Sequence, residues 1–207
     1  MLHFLDIAAV VVFAFSGALE GTRKRMDLFG VLVVALVAAL GGGTLRDLLL
    51  ATASPRPVFW IENPLYIYLA LGGGLLGFGF SVSGHFAQRT LLIADAIGLS
   101  TACVIGAQKA VMAGATAPVV LIMAVMTGVA GGITRDVLCN EVPLVFRPDT
   151  RLYATAALFG GALFLVLLQS GLNANTSSAC AVICTLLERQ ADLRWKLMLP
   201  VKRQTEL

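Results

Sequence analysis

A short string of glycines followed by an Arg-Asp pair occurs twice in this chain. Positions 42–47 read GGTLRD and positions 131–136 read GGITRD, 89 positions later, and each copy lies within a long apolar run. Asp6 and Asp95 correspond at the same offset. Each glycine inside a helix costs about 1 kcal/mol relative to alanine, and a charge inside an apolar membrane segment is costly as well. Two such costs at two related places point to a function or to a special packing arrangement.

The glycines allow two interpretations. Unwound or kinked helices would free backbone carbonyl and N–H groups to face a water-filled path. Close helix packing on small-residue faces would need the same glycines. The charges that follow directly favour the path, so the candidate pathway glycines are Gly41, Gly42, Gly43, Gly131 and Gly132.

The charged residues extend the candidate pathway. Arg46-Asp47 and Arg135-Asp136 are either structural ion pairs that hold each helix or groups that line a polar path, and the two roles are compatible. Asp95 lies well inside an apolar segment and needs a partner. Lys109 ends its apolar segment beside Gln108, and it either extends to the membrane interface or places a positive charge at the mouth of a pore.

Composition identifies an integral membrane protein. The chain is 58% hydrophobic and 13% charged, with a mean hydropathy of +0.87 and a net charge of +3, so a soluble fold and a nucleic-acid partner are both excluded. No cleavable signal peptide is expected, because Asp6 interrupts the N-terminal apolar run. The sequence shows no zincin, P-loop or serine-hydrolase motif. We therefore expect no enzyme, no cofactor and no metal site, and we assign the four cysteines to helix packing.

The apolar runs predict an all-α polytopic fold in a single domain, 1–207. A bilayer-spanning helix needs about 20 mostly apolar residues. Seven segments meet that need: 3–20, 28–50, 64–83, 90–109, 116–139, 151–170 and a weaker one at 174–188. A cytoplasmic or interfacial tail, 189–207, is expected after them.

Orientation follows from the basic residues in alternate loops. Two lie on one side, Arg56 and Lys109, and eleven lie on the other. The positive-inside rule places the N-terminus outside and the C-terminus in the cytoplasm. The eleven are Arg23, Lys24, Arg25, Arg89, Arg147, Arg151, Arg189, Arg194, Lys196, Lys202 and Arg203.

The duplication and the topology together predict an inverted repeat. Each copy contains three spans, an odd number, so the second copy enters the membrane in the opposite direction. Repeat one covers 3–83, repeat two covers 90–170, and the seventh helix is an addition. Sites in such folds lie near the midplane, where discontinuous helices meet, and the glycine groups in helices two and five are the expected breaks.

This combination resembles the trimeric intracellular cation (TRIC) channel family over residues 3–188. The resemblance implies a homotrimer in a bacterial inner membrane, in contact with membrane lipid. It implies one pore per protomer beside kinked second and fifth helices, conducting monovalent cations, chiefly K⁺. It also implies that a basic residue of the fourth helix, here Lys109, takes part in voltage-dependent gating.

Two functions remain open from the sequence. A channel would use freed carbonyl groups to replace part of an ion's hydration shell. A secondary transporter of a small zwitterion such as glycine, which some prokaryotic members of the family are proposed to carry, would use the same broken helices. Their positive N-terminal ends would meet the carboxylate of that substrate.

Overall fold

The computed structural model describes residues 2–51, 57–80, 85–147 and 152–195. These residues form eight α-helices and one 3-10 helix, so the predicted all-α class is confirmed. The helices are α1 (Leu2–Arg23), α2 (Leu28–Leu50), α3 (Phe59–Glu62), α4 (Leu65–Gly79), α5 (His85–Met112), α6 (Ala117–Leu138), α7 (Tyr153–Gln169) and α8 (Ala174–Trp195), with the 3-10 helix at Leu144–Phe146 between α6 and α7.

Length and composition separate these helices into classes. Within the described residues, four helices are long and apolar enough to cross a membrane: α1, α2, α5 from Gln88, and α6. The helices α4 and α7 are apolar but shorter. Each is the third helix of its predicted repeat, where glycines are frequent.

The helix α8 corrects the predicted start of the tail. The sequence places the end of the seventh helix at 188, whereas α8 continues to Trp195. Arg189, assigned to the cytoplasmic tail, is fully buried inside the protein. It is therefore not a loop charge, and the charge bias that predicts the orientation falls to ten against two. The residues after Trp195 lie outside the described part of the chain.

Local sequence explains where the second helix begins and where the fifth ends. The Asp27 carboxylate accepts a hydrogen bond from the Gly30 backbone N–H at 2.7 Å, which caps the N-terminus of α2. After α5, Gly114 has a positive φ of 75°, a conformation that glycine adopts without steric cost. The chain then turns back into α6.

The glycine groups do not interrupt their helices. Both α2 and α6 are described throughout, and each remains α-helical through its glycines, so the expected unwinding is not found. A methyl group at Gly42 would lie 2.6 Å from the carbonyl oxygen of Thr127, and one at Gly131 would lie 2.5 Å from that of Ala38. The glycines at these positions therefore let the backbones of α2 and α6 approach closely.

These close contacts recur at the spacing of the duplication. Gly42 with Thr127 and Gly131 with Ala38 exchange under an offset of 89 residues. Gly17 meets the Val34 carbonyl oxygen of α2, and its counterpart in α5 meets the corresponding oxygen of α6. The buried apolar side chains likewise form two main clusters, one centred on α1, α2 and α4 and one on α5, α6 and α7.

Candidate functional site

Four charged side chains meet where α1, α2 and α5 come together: Asp6, Arg46, Asp47 and Lys109, here called the first charge cluster. The Arg46 Nε donates to Asp47 Oδ1 at 2.7 Å. Asp6 lies between two cations, 3.6 Å from Arg46 Nη1 and 3.3 Å from Lys109 Nζ. The side chain of Lys109 remains 22% exposed, whereas that of Arg46 is 2% exposed. The cluster is therefore buried at one end and open at the other.

Asp47 also positions the short helix α3. Its second oxygen, Oδ2, accepts a hydrogen bond from the Phe59 backbone N–H at 2.9 Å. This contact holds the Phe59 ring close to both cations of the cluster, 5.4 Å from Arg46 Cζ and 5.7 Å from Lys109 Nζ. Cations attract the face of an aromatic ring at such distances.

Two cavities adjoin the first charge cluster. The outer cleft has a volume of about 140 Å³ and is lined by Leu2, Asp47, Leu50, Pro57, Phe59, Glu62, Lys109, Met112 and Ala113. The inner cavity has a volume of about 20 Å³ and is lined by residues of α1, α2, α5 and α6, together with Phe59. Phe59 therefore borders both spaces.

The inner cavity contains polar atoms that lack partners. Arg46 Nη2 and Thr127 Oγ1 are buried without a hydrogen-bond partner within the described residues, and both residues line this cavity. A buried polar group without a partner costs about 1–3 kcal/mol. A volume of about 20 Å³ is enough for one water molecule in this conformation.

A second charge cluster, formed by Asp95, Arg135 and Asp136, repeats this chemistry. The Arg135 Nε donates to Asp136 Oδ1 at 2.8 Å, and its Nη1 donates to Asp95 Oδ1 at 2.8 Å. Asp136 Oδ2 accepts from the Leu144 backbone N–H at 2.9 Å, which fixes the start of the 3-10 helix. Asp95 thus has the partner that the sequence requires for it.

The second charge cluster is more deeply buried than the first. Arg135 and Asp95 are 0% exposed, and Arg135 Nη1 also donates to Ser16 Oγ of α1 at 3.1 Å. Tyr153 connects the cluster to α8, because the Arg189 guanidinium lies 5.0 Å from the centre of its ring. Arg189 in turn pairs with Asp192 at 2.6 Å.

The structure divides the predicted pathway residues between four places. The inner cavity is lined by Gly42, Gly43, Arg46 and Gly131, and the outer cleft by Asp47 and Lys109. Gly41 faces a separate open apolar groove beside Trp60, and Gly132 faces Tyr153 and Asp95. Asp95, Arg135 and Asp136 lie in the second charge cluster, away from both cavities.

Some residues of the site escaped the sequence interpretation. Phe59 and Thr127 border the inner cavity, and Ser16 binds Arg135. The sequence contains one weak indication of Phe59, because the Pro-Val-Phe at 57–59 corresponds loosely to the Pro-Leu-Val-Phe at 143–146, after the second motif. Thr127 and Ser16 each have apolar residues and glycine as sequence neighbours, a pattern common to many membrane helices.

A third group of charges lies at the other end of the helices. Glu141, in the loop after α6, pairs with Lys24 at 2.8 Å, with Arg23 at 2.9 Å and with Arg147 at 3.1 Å. The hydrogen bond from Lys24 and the surrounding positive charge lower the pKa of Glu141 below its ordinary value of 4.5. Within the described residues, no group of three or more His, Cys, Asp or Glu side chains is arranged to hold a metal ion.

A family sequence model and individual relatives both match most of this chain. The family sequence model described as "Glycine transporter" matches residues 3–81 and 92–169. The UPF0126 inner membrane protein YadS of Escherichia coli K12 is 39% identical over 202 residues, which cover 97% of this chain and 95% of that protein. A UPF0126 membrane protein of Deinococcus radiodurans is 41% identical over 206 residues, covering 99% and 94%.

Comparison with solved structures gives the same fold. The TRIC trimeric intracellular cation channel orthologue from Rhodobacter sphaeroides superposes with a TM-score of 0.88 at 37% sequence identity. The match covers 95% of this chain and 98% of that one.

Proposed function

The chain belongs to the prokaryotic branch of the TRIC channel family, whose sequence model is described as a glycine transporter, and on this premise we propose that it is a membrane channel for monovalent cations, chiefly K⁺, with one pore in each protomer. The observation that carries the proposal is the pair of cavities that meet at Phe59 beside the first charge cluster. Together they extend from an open cleft into the middle of the helix bundle. The Asp6 and Asp47 carboxylates supply the negative charge that attracts cations.

The path runs past α2 and α6, between these helices and α1 and α5. Gly42, Gly43 and Gly131 have no side chains to fill the inner cavity that they line. The cavity holds about one water, which is too little space for a hydrated ion. This conformation is therefore a closed one, and conduction requires the helices to separate or the ring of Phe59 to move.

The proposal includes the inverted repeat and the expected topology. Reciprocal contacts at an offset of 89 residues, between Gly42 and Thr127 and between Gly131 and Ala38, support a two-fold relation between the repeats. Lys109 and Arg23 lie at opposite ends of the bundle in contact with different clusters, which suits an external N-terminus and a cytoplasmic C-terminus. A homotrimer in a bacterial inner membrane, with lipid around it, completes the proposal.

The charged residues of the outer cleft are the observation that favours the alternative function, glycine transport. The outer cleft is lined by Lys109 and also by the acidic residues Asp47 and Glu62. Such opposite charges suit the carboxylate and the ammonium of a small zwitterion. A transporter would bind glycine in this cleft and would release it on the other side after a conformational change.

Flux through purified protein in liposomes and planar bilayers separates the two functions. A channel produces discrete single-channel steps in K⁺ solutions, with current that continues to rise with driving force. A transporter shows saturable uptake of labelled glycine and no steps. Asp6→Asn, which removes charge beside the inner cavity, should reduce K⁺ current, and Asp27→Asn at the N-cap of α2 is the matched control. Saturable glycine uptake without any K⁺ current would refute the channel.

A further inference from the structure

We propose that Phe59 is the gate of this path, an aromatic plug whose ring separates the outer cleft from the inner cavity. The inference rests on the proposed function and names the residue that closes the conduction path. Phe59 lines both spaces and is 8% exposed. An apolar side chain at such a boundary blocks ions because water does not enter a narrow apolar constriction.

The ring fits against α2 only because position 43 is glycine. A methyl group at Gly43 would lie 2.5 Å from Phe59 Cε1 and 3.0 Å from Cζ, closer than carbon atoms approach without displacement. The glycine that the sequence suggests as a helix break therefore forms the seat of the plug. The seat and the plug are both on the path side of α2, next to Arg46.

Three contacts hold the ring in its seat. The Asp47 carboxylate fixes the Phe59 backbone, Tyr66 packs edge-on with ring centres 4.8 Å apart, and the charges of Arg46 and Lys109 lie near the ring. The same Lys109 pairs with Asp6. A movement of Lys109 would therefore loosen the plug and change the charge at the inner cavity together, which gives the gate a trigger within the first charge cluster.

In the described residues of the second half, Gly132 is the equivalent of Gly43 and faces the hydroxyl of Tyr153, which lines neither cavity. There Asp136 fixes the backbone of Leu144, in the position that Asp47 takes toward Phe59. The nearby phenyl ring, that of Phe146, is 68% exposed. Among the described residues, Phe59 is therefore the one whose ring borders both cavities, and Phe146 offers a matched control for removal of a ring.

The first arm of the test measures K⁺ current from full-length protein in planar bilayers. We expect Phe59→Leu, which keeps an apolar side chain but loses the ring, to raise the open probability severalfold. Phe59→Ala should raise it further if the protein folds, and Phe146→Ala should leave it unchanged. Thermal unfolding in detergent identifies any variant that fails to fold, and Phe59→Leu serves as the milder substitution. Wild-type open probability in a folded Phe59→Leu protein would overturn the proposal.

The second arm measures access to the inner cavity without requiring K⁺ current. Thr127→Cys places a thiol in that cavity, in a background where all four native cysteines, Cys103, Cys139, Cys180 and Cys184, are changed to alanine. Ag⁺, a thiol-reactive monovalent cation, is added from the outside, and the remaining free thiol is labelled after denaturation. With Phe59→Leu, Ag⁺ should react severalfold faster than with the wild-type ring. Equal rates would overturn the gate. Absence of K⁺ current from every protein, with Ag⁺ access still dependent on Phe59, would instead refute the channel and leave the gate in place.

Discussion

The two charge clusters share three residues at an offset of 89 positions, an arginine followed by an aspartate on one helix and a second aspartate on another. In both, the arginine Nε binds its sequence neighbour, and the neighbour's second oxygen holds the start of a short helix. They differ in their surroundings. The first charge cluster also contains the partly exposed Lys109 and borders two cavities, whereas the second is buried at 0–2% exposure.

The difference arises from residues outside the duplicated motif. At the position equivalent to Lys109, the first repeat has Glu20, which pairs with Arg23 instead. Within the described residues, the helix α8 has no counterpart in the first half, and its Arg189 lies against Tyr153 beside the second charge cluster. The motif therefore sets the ion pairs, while α8 covers one cluster and leaves the other beside two cavities.

Loss of Arg135 should have the largest effect on stability. Arg135→Ala leaves the Asp95 and Asp136 carboxylates buried without their partner, and breaking a buried pair in this way costs about 3–5 kcal/mol. Arg46→Ala should cost less, because Asp6 retains Lys109 and Asp47 borders the outer cleft. Thermal unfolding of both variants in detergent measures the difference.

A double substitution tests whether charge is the cause. Arg135→Ala with Asp95→Asn removes one of the two stranded charges and should recover part of the lost stability. If Arg46→Ala destabilises the protein as much as Arg135→Ala does, the two clusters do not differ in the way their burial indicates.

Substitution of the glycines that make the same close contacts in both halves should have the second-largest effect on stability. Gly42→Ala forces a methyl group against the Thr127 carbonyl oxygen, a backbone atom that cannot turn aside, and overpacking of this kind costs about 1–3 kcal/mol. Gly131→Ala should behave alike, because its contact with Ala38 is the reciprocal one. Gly72→Ala is the matched control, since nothing lies within 4 Å of the added methyl. Equal stability of all three variants would contradict close packing as the reason for these glycines.

Much of the fold could be predicted from the sequence because apolar runs and short loops determine membrane helices directly. The predicted 28–50 segment coincides with α2, and the need of Asp95 for a partner follows from its burial in an apolar run. The glycine groups, which the sequence suggests as breaks, lie within continuous helices. A glycine signals either a weak helix or a close neighbour, and only the position of the facing helix decides between them.

The candidate site was less accessible to sequence reasoning. Gly132 and Gly131 are adjacent in the motif, yet one faces Tyr153 and the other lines the inner cavity. Adjacent residues of a helix point about 100° apart, so a motif cannot place all its members on one path. The importance of Phe59 depends on contacts with α2, α4 and α5 that its own short segment does not reveal.

Substitutions at Lys109 test whether the first charge cluster borders the proposed conduction path. Lys109→Ala should raise K⁺ conductance or open probability, because it removes a positive charge from the outer cleft and a contact from Phe59. Lys109→Arg should retain gating, since the charge and most of the length remain. A full charge crossing the membrane field contributes about 2.3 kcal/mol per 100 mV, so one lysine moving through part of the field should shift the voltage dependence modestly. Wild-type currents from Lys109→Ala at every potential would assign Lys109 to the membrane interface.

The smallest expected effect lies away from both charge clusters, at Glu141. The Lys24 hydrogen bond and nearby charges hold its pKa below 4.5 in the folded protein. The ionised form is therefore favoured by folding, and its contribution to stability is complete above pH 4.5 and disappears as the pH falls through the lower, folded pKa. Since the carboxylate is 27% exposed, the contribution should stay below about 1 kcal/mol. The wild-type protein should be slightly more stable than Glu141→Gln at pH 7, and the stabilities of the two proteins should converge in acid.

Glu62→Gln is the control, because the described residues show no ion pair for Glu62. A difference between wild type and Glu141→Gln that grows on acidification would show that Glu141 stabilises the fold through its protonated form.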